Sequence, residues 1–328
     1  MAGVVLAVDA GGTAVRMGLF RCAEGRVDPL VISRRASTGW SNFEGDLRGF
    51  LAQPEVLANM ETAKGRAAVF ALAGPTGGNA GPDRGKGSVT RWGPEIFREV
   101  APLLSPLPFH HCILLNDMEA ANHAVVGTAE ESFQPLDGNA CPIPRSRFIH
   151  LRPGTGLGMG IFSEGLSLPS EGGSAPCAFD VDDPDELAVA RHFRSLSGGP
   201  LPAYEAALCG DGLRAMSEAL TGRATSPERV TAEWGRSDGS KRVVGLFLLL
   251  LARAAQGAAL TLQPEACFLS GSIVETLPNG AWESFCGAFR HHAAQGLLLK
   301  RVRLALVSGP ELTLRGAALV GARALAGR

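Results

Sequence analysis

A chain of 328 residues with 45% hydrophobic and 19% charged residues has ample material for a folded core, which excludes a disordered chain. Its 31 Lys and Arg nearly cancel its 32 Asp and Glu, leaving a formal net charge of −1 and no electrostatic case for nucleic acid or anionic membrane. At about 150 residues per domain, the length predicts two domains.

The predicted elements alternate between strand and helix. Val4–Val8 reads as a short buried strand, Asp9–Thr13 as a turn, and Ala14–Phe20 as a second strand with Val15, Met17 and Leu19 on one side. Val27–Arg34 supplies a third strand. A helix is predicted over Asn42–Gln53 with Asn42 as its N-cap. Ala67–Ala73 is a buried strand, Pro94–Leu104 a short helix, and Cys112–Leu115 a strand that runs through Asn116-Asp117 into helix Met118–Val126. A second round opens with strand Phe148–Leu151, a Gly-rich turn and strand Leu157–Phe162. Helices follow at Asp185–Leu196, Ala203–Leu208, Gly212–Leu220, Pro227–Trp234 and Lys241–Leu262. Strand Cys267–Leu269, helix Trp282–Gln295, strand Val302–Val307 and helix Leu312–Ala326 complete the chain. Such alternation defines an α/β fold.

Glycine, at 42 residues, is nearly twice the usual share of about 7%, and no collagen-like period or Gly/Ser spacer accounts for it. The seven cysteines are scattered singly, without a C-x-x-C pair, which reads as reduced cytosolic thiols rather than a zinc site. The N-terminus lacks a basic region and reaches Asp9 too early for a signal peptide. The apolar run Val243–Ala252 is about half a membrane span, so a buried helix is expected there.

One device occurs twice. Val4–Phe20 and Phe148–Phe162 are each strand, Gly-rich turn with a Thr, strand. A P-loop or dinucleotide-binding turn must open a helix, and neither of these does. Two such hairpins can instead grip a polyphosphate. Gly11, Gly12, Gly154 and Gly156 would let backbone N–H groups approach its oxygens, with Thr13 and Thr155 adding hydroxyls. Asp9 is placed to hold magnesium through water. The plainer alternative is an ordinary hairpin whose glycines supply positive φ.

The order D-A-G-G-T-x-x-R (9–16), L-N-D (115–117), P-G-T-G-L-G (153–158), L-P-x-E-G-G (168–173) and E-A-A-L-C-G-D-G-L (205–213) resembles the bacterial glucokinase family. The likeness is to the branch outside the ROK proteins, within the hexokinase and actin superfamily. It implies a two-domain actin-like ATPase (ribonuclease H-like) fold with a ligand cleft between the domains. It also implies ATP and Mg2+, with transfer of the γ-phosphoryl group to the 6-hydroxyl of a hexose. On this resemblance Asp117 is the base and Asn116 a sugar ligand, although the pair also suits a helix cap. Glu171 matches a sugar carboxylate, and Glu205 either a second one or a solvated charge. Gly271 lies where the family touches adenosine, or in a plain strand-to-helix turn.

Several positions depart from the family pattern. Ser174 stands where the family has a sugar-binding His, and Ala14 where it usually has Asn. Thr90-Arg91-Trp92 is a reduced form of a longer segment, and Gly271–Glu275 differs from the family's G-G-I-x-P-R. The expectation is a glucose-phosphorylating enzyme, with two alternatives: a kinase for another hexose, or a degenerate homologue that binds sugar or nucleotide as a regulator. The domains are expected at 1–117 with 312–328 and at 118–311, in a cytoplasmic protein without nucleic-acid or membrane partners. The resemblance implies a homodimer.

Overall fold

The computed structural model describes residues 3–23, 26–77, 85–93, 98–105, 107–138, 143–197, 199, 202–309 and 311–327. The chain begins with β1 (Gly3–Ala10), β2 (Ala14–Ala23), β3 (Arg26–Ala36), α1 (Trp40–Leu51), α2 (Pro54–Thr62) and β4 (Arg66–Leu72). Then come two short strands, β5 (Lys86–Gly87) and β6 (Arg98–Glu99), followed by β7 (His111–Asn116) and α3 (Asp117–Val126). Next are β8 (Phe133–Pro135), β9 (Arg147–Pro153), β10 (Leu157–Ser163), β11 (Leu166–Leu168), α4 (Pro184–Ser197), α5 (Tyr204–Ala207) and α6 (Gly210–Thr221). The chain closes with α7 (Pro227–Ala232), α8 (Asp238–Leu262), β12 (Ala266–Leu269), α9 (Ser272–Glu275), α10 (Trp282–Arg290), α11 (Gly296–Leu299), β13 (Arg303–Val307) and α12 (Leu312–Leu325).

Two compact units result, Met1–Thr128 with Gly309–Arg328, and Ala129–Ser308. The first holds a sheet of order β3-β2-β1-β4-β7, antiparallel from β3 to β1 and parallel from β1 to β7. Central β1 is apolar on both faces because both are covered. Val4, Leu6 and Val8 share a core with Phe43, Leu47 and Phe50 of α1, while Val5 and Ala7 face Leu314, Ala317 and Ala318 of α12. The register sets Ala10, Leu72 and Asn116 side by side. The ends of three strands thereby meet at one edge of this sheet, the edge where open α/β sheets bind ligands.

The second unit repeats the plan. Its order is β11-β10-β9-β12-β13-β8, with an antiparallel run from β11 to β9 and parallel pairing from β9 to β13. The two hairpins singled out by sequence, β1–β2 and β9–β10, thus hold corresponding places in the two sheets. Helix α8 is long and apolar enough to cross a membrane by length and composition, yet 61% of its most apolar stretch is buried. Phe247, Leu250 and Leu251 of α8 share a core with Trp282, Phe285 and Phe289 of α10. Packing inside the unit accounts for the apolar run.

Several local expectations are corrected. Helix α1 starts at Trp40 with Gly39 as N-cap, and Asn42 lies inside the first turn, its Nδ2 donating to Thr38 Oγ1 at 2.8 Å. Helix α2 was not expected; Pro54 at its first position presets the helical φ. In place of a helix to Leu104, the chain forms β6 and a 3-10 turn at Ala101–Leu104, while 94–97 lie outside the described residues. Helix α10 stops at Arg290, with His291 in extended conformation, and α11 is separate. Helix α3 belongs to the first unit rather than opening the second, because Ala120 packs with Leu314, Ala317 and Ala318 of α12.

Candidate active site

In the first unit the turn between β1 and β2 is closed by Gly11 N–H donating to Ala14 O at 3.0 Å. Asp9, 5% exposed, accepts from Arg16 Nη1 at 2.9 Å, and Arg16 Nε lies 3.2 Å from Glu311 Oε2. The turn is braced from outside. Trp92 Nε1 donates to Ser37 Oγ at 2.6 Å, and Ser37 Oγ donates to Gly11 O at 2.6 Å. Ser37 N–H also donates to Thr13 O at 3.1 Å. Trp92 itself packs on Trp40 and Phe43. The Thr90-Arg91-Trp92 remnant thus supports the turn, a role that sequence reasoning missed along with that of Ser37.

At the end of β7, two strands from β1, Asn116 caps α3. Its Oδ1 accepts from Met118 N–H at 2.8 Å, and Glu119 Oε2 accepts from Asn116 N–H at 2.7 Å. Asn116 Nδ2 donates to Gly74 O at 3.1 Å, which uses one of the two amide N–H bonds and ties the ends of β4 and β7 together. Asp117 occupies the first helical position, half-buried, with Oδ1 accepting from Met118 N–H at 3.0 Å. The cap reading holds for Asn116, and Asp117 presents a half-buried carboxylate at the end of β7. Burial pushes the Glu119 pKa up, which the Asn116 N–H only partly offsets.

In the second unit Gly154 N–H donates to Gly156 O at 2.8 Å across the β9–β10 turn, and Gly154 O accepts from Gly210 N–H at 3.0 Å. That bond places the start of α6 against the hairpin. None of Gly11, Gly12, Gly154 and Gly156 has positive φ, so the plain hairpin reason for glycine does not hold at these turns. A Cβ at Gly154 would meet nothing within 4 Å, whereas one at Gly12 would come 2.6 Å from Arg91 Cδ. Glycine at 12 therefore accommodates a neighbour, and at 154 no neighbour in the structure calls for it.

Ser174, Glu171 and Glu205 come together. Ser174 Oγ donates to Glu205 Oε1 at 3.0 Å, and a Cβ at Gly156 would lie 3.8 Å from Glu205 Oε2. Partial burial, and then the charge of Glu205, push the Glu171 pKa up from the usual carboxylate range. The two carboxylates and the Ser174 hydroxyl are one cluster beside the Gly-rich turn. Gly173 seats the loop: its Cα packs so tightly on Leu157 O that any Cβ would collide with it. Gly271, at φ 107°, carries the chain past Pro153 O at the end of β9, and its N–H donates to Glu275 Oε1 at 2.7 Å. It therefore lies beside the second hairpin in a turn that requires glycine. Gly77, Gly78, Gly81, Gly85 and Gly87 have no assigned role, and of these Gly78 and Gly81 lie outside the described residues.

Beneath that turn His150 is fully buried, with Nε2 2.7 Å from Ser270 Oγ. Burial and then the Arg152 charge push its pKa down to about 3. His150 therefore stays neutral in the native state, while the unfolded chain binds a proton near pH 6.5. Stability should be full above about pH 6.5 and fall by up to ~1.4 kcal/mol per unit as pH drops toward 3. Urea unfolding across that range is expected to show this slope, and His150→Gln to flatten it.

The duplicated sheet is the fold of sugar kinases built on the two-domain actin-like ATPase plan. A glucokinase from Balamuthia mandrillaris, solved in complex with glucose, superposes with TM-score 0.81 at 19% identity, over 98% of this chain and 93% of that one. A glucokinase from an Antarctic psychrotroph gives TM-score 0.74 at 20% identity, over 98% and 99%. In sequence, the glucokinase of Chelativorans sp. (strain BNC1) is 27% identical over 331 residues, covering 96% of this chain and 90% of that protein. The glucokinase family model matches residues 6–324, and the chain belongs to that family of hexokinase-type phosphotransferases.

Proposed function

We propose that this enzyme transfers the γ-phosphoryl group of ATP to the 6-hydroxyl of glucose, in the cytoplasm and at the entry to glycolysis. The observation that carries the reading is the register of the first sheet. It sets the end of β1, with its Gly-rich turn, and the end of β7, with Asp117, two strands apart on one edge, on the order of 10 Å. A carboxylate next to a phosphate turn is what phosphoryl transfer to an alcohol needs. The singly scattered cysteines, without a C-x-x-C pair, support a reducing compartment.

In this reading Glu171, Glu205 and Ser174 hold the sugar hydroxyls, with Asn116 donating its remaining amide N–H. Asp117 accepts the proton of the 6-hydroxyl as that oxygen bonds to the γ-phosphorus and the bond to the β-phosphate oxygen breaks, releasing ADP. The turns at Gly11–Thr13 and Gly154–Gly156, with Gly271 near the adenosine, hold the nucleotide. Among the described residues no group of three or more His, Cys, Asp or Glu could cage a metal. Mg2+ rides largely on substrate phosphates, and Asp9 would hold it through water. When bound, the ion neutralises phosphate charge.

Gly154 offers a test of the nucleotide half. With no atom within 4 Å of a built Cβ, Gly154→Ala should leave the melting temperature unchanged. The expected result is a KM for ATP raised about tenfold with hexose KM unaltered, because the methyl occupies the phosphate's approach. The reading as a whole is tested by ADP release over a panel of hexoses. Turnover confined to another hexose would assign the Ser174 departure to specificity, and absence of turnover with every sugar would remove the kinase reading.

A further inference from the structure

We infer that the buried ion pair Glu186–Arg253 is a positioning device for the sugar carboxylates, setting the affinity for the acceptor sugar without touching it. The inference rests on the sugar-site reading given above. Glu186 on α4 has a side chain only 2% exposed, and Arg253 on α8 meets it twice, Nη1 to Oε2 at 2.5 Å and Nη2 to Oε1 at 2.9 Å. Such a planar fork fixes both side chains in direction.

The pair does more than join two helices. Glu186 Oε2 also accepts from Asp180 N–H at 2.6 Å, and Arg253 Nη1 donates to Ala178 O at 3.0 Å. Both ions therefore grip the extended stretch that follows the 3-10 turn of Gly172–Ser174. That stretch is in turn laced to the residues around Glu205. Cys177 N–H donates to Pro202 O at 2.9 Å, Pro176 bridges to Ala203, and Tyr204 N–H donates to Ala175 O at 2.9 Å. Ala178 N–H reaches Tyr204 Oη at 3.4 Å.

At the end of this ladder stand the two groups that would meet sugar. Ser174 adjoins Ala175, Glu205 adjoins Tyr204, and Ser174 Oγ bonds Glu205 Oε1 at 3.0 Å. The 175–180 and 202–203 segments are otherwise short, irregular chain. A carboxylate on a single-turn helix such as α5 owes its position to what that turn is tied to. An apolar pair at 186 and 253 would fill the same space and keep α4 on α8, but it would release Ala178 O and Asp180 N–H.

The test compares wild type, Arg253→Lys, Arg253→Met and the double variant Glu186→Met/Arg253→Leu. Arg253→Met leaves a buried carboxylate unpaired and is the variant most exposed to misfolding; the double variant avoids that charge. The double variant is expected to keep a cooperative melt and to show a hexose KM raised about tenfold, with ATP KM and kcat within about twofold. Arg253→Lys should recover part of the loss. Amide exchange at Ala178 and Asp180 should accelerate in the double variant, a readout that needs no activity. Unchanged exchange would overturn the clamp. Faster exchange with unchanged hexose KM would overturn its role in sugar binding. Wild type inactive on every hexose would sink the kinase reading instead, and exchange of the Tyr204 and Glu205 amides would then decide whether the clamp reaches the carboxylate.

Discussion

Asp117→Asn is expected to lower kcat by about 10² to 10⁴, the range carried by a positioned general base. The substitution should leave the fold intact for a local reason. Asn keeps an oxygen where Asp117 Oδ1 accepts from Met118 N–H at 3.0 Å, and the cap itself belongs to Asn116 and Glu119. What Asn cannot do is take up the proton of the attacking hydroxyl. Hexose KM should therefore stay within a few-fold of wild type while kcat and kcat/KM fall together, the signature of an interaction made in the transition state. Steady-state kinetics with a thermal melt as control checks this. Full activity in Asp117→Asn would place the base elsewhere.

The second large effect is expected on binding. Glu171→Gln should raise hexose KM by about 10- to 100-fold, since a charged acceptor of hydroxyl hydrogen bonds contributes more than a neutral amide. ATP KM should not change. The same carboxylate gives a pH signature. Its pKa is raised by partial burial and then by Glu205, so its charge is lost at a higher pH than for an ordinary Glu. Hexose KM should rise as pH falls through that raised value and be flat above it. In Glu171→Gln that limb should vanish. A limb that persists in the variant would assign the titration to another group.

The fold class was open to reading because both sheets contain the same apolar strand, Gly-rich turn and strand, and each central strand is buried. The position of Asp117 was legible for a related reason: a carboxylate directly after an apolar strand run sits at that strand's end. The misreadings have equally local causes. Asn42 looked like a cap, but Trp40 packs into the core and draws α1 two residues earlier. Helix α3 follows the strand that precedes it in sequence, yet its unit is decided by α12, some 190 residues further on. Nothing in the spacing of Ser37 and Trp92 reveals that they brace the first hairpin, since that contact depends on tertiary packing alone. Glycine content was informative only in part. At Gly12 and Gly173 the structure supplies an internal reason for the missing side chain, and at Gly154 it supplies none.

The most direct measurement is the product formed from glucose and ATP with Mg2+, followed by phosphorus NMR alongside ADP release. Glucose 6-phosphate appearing in equal amount with ADP, its phosphorus coupled to the hydrogens on carbon 6, is the result this account predicts. ADP released without a sugar phosphate, or phosphate carried on another hydroxyl, would contradict it.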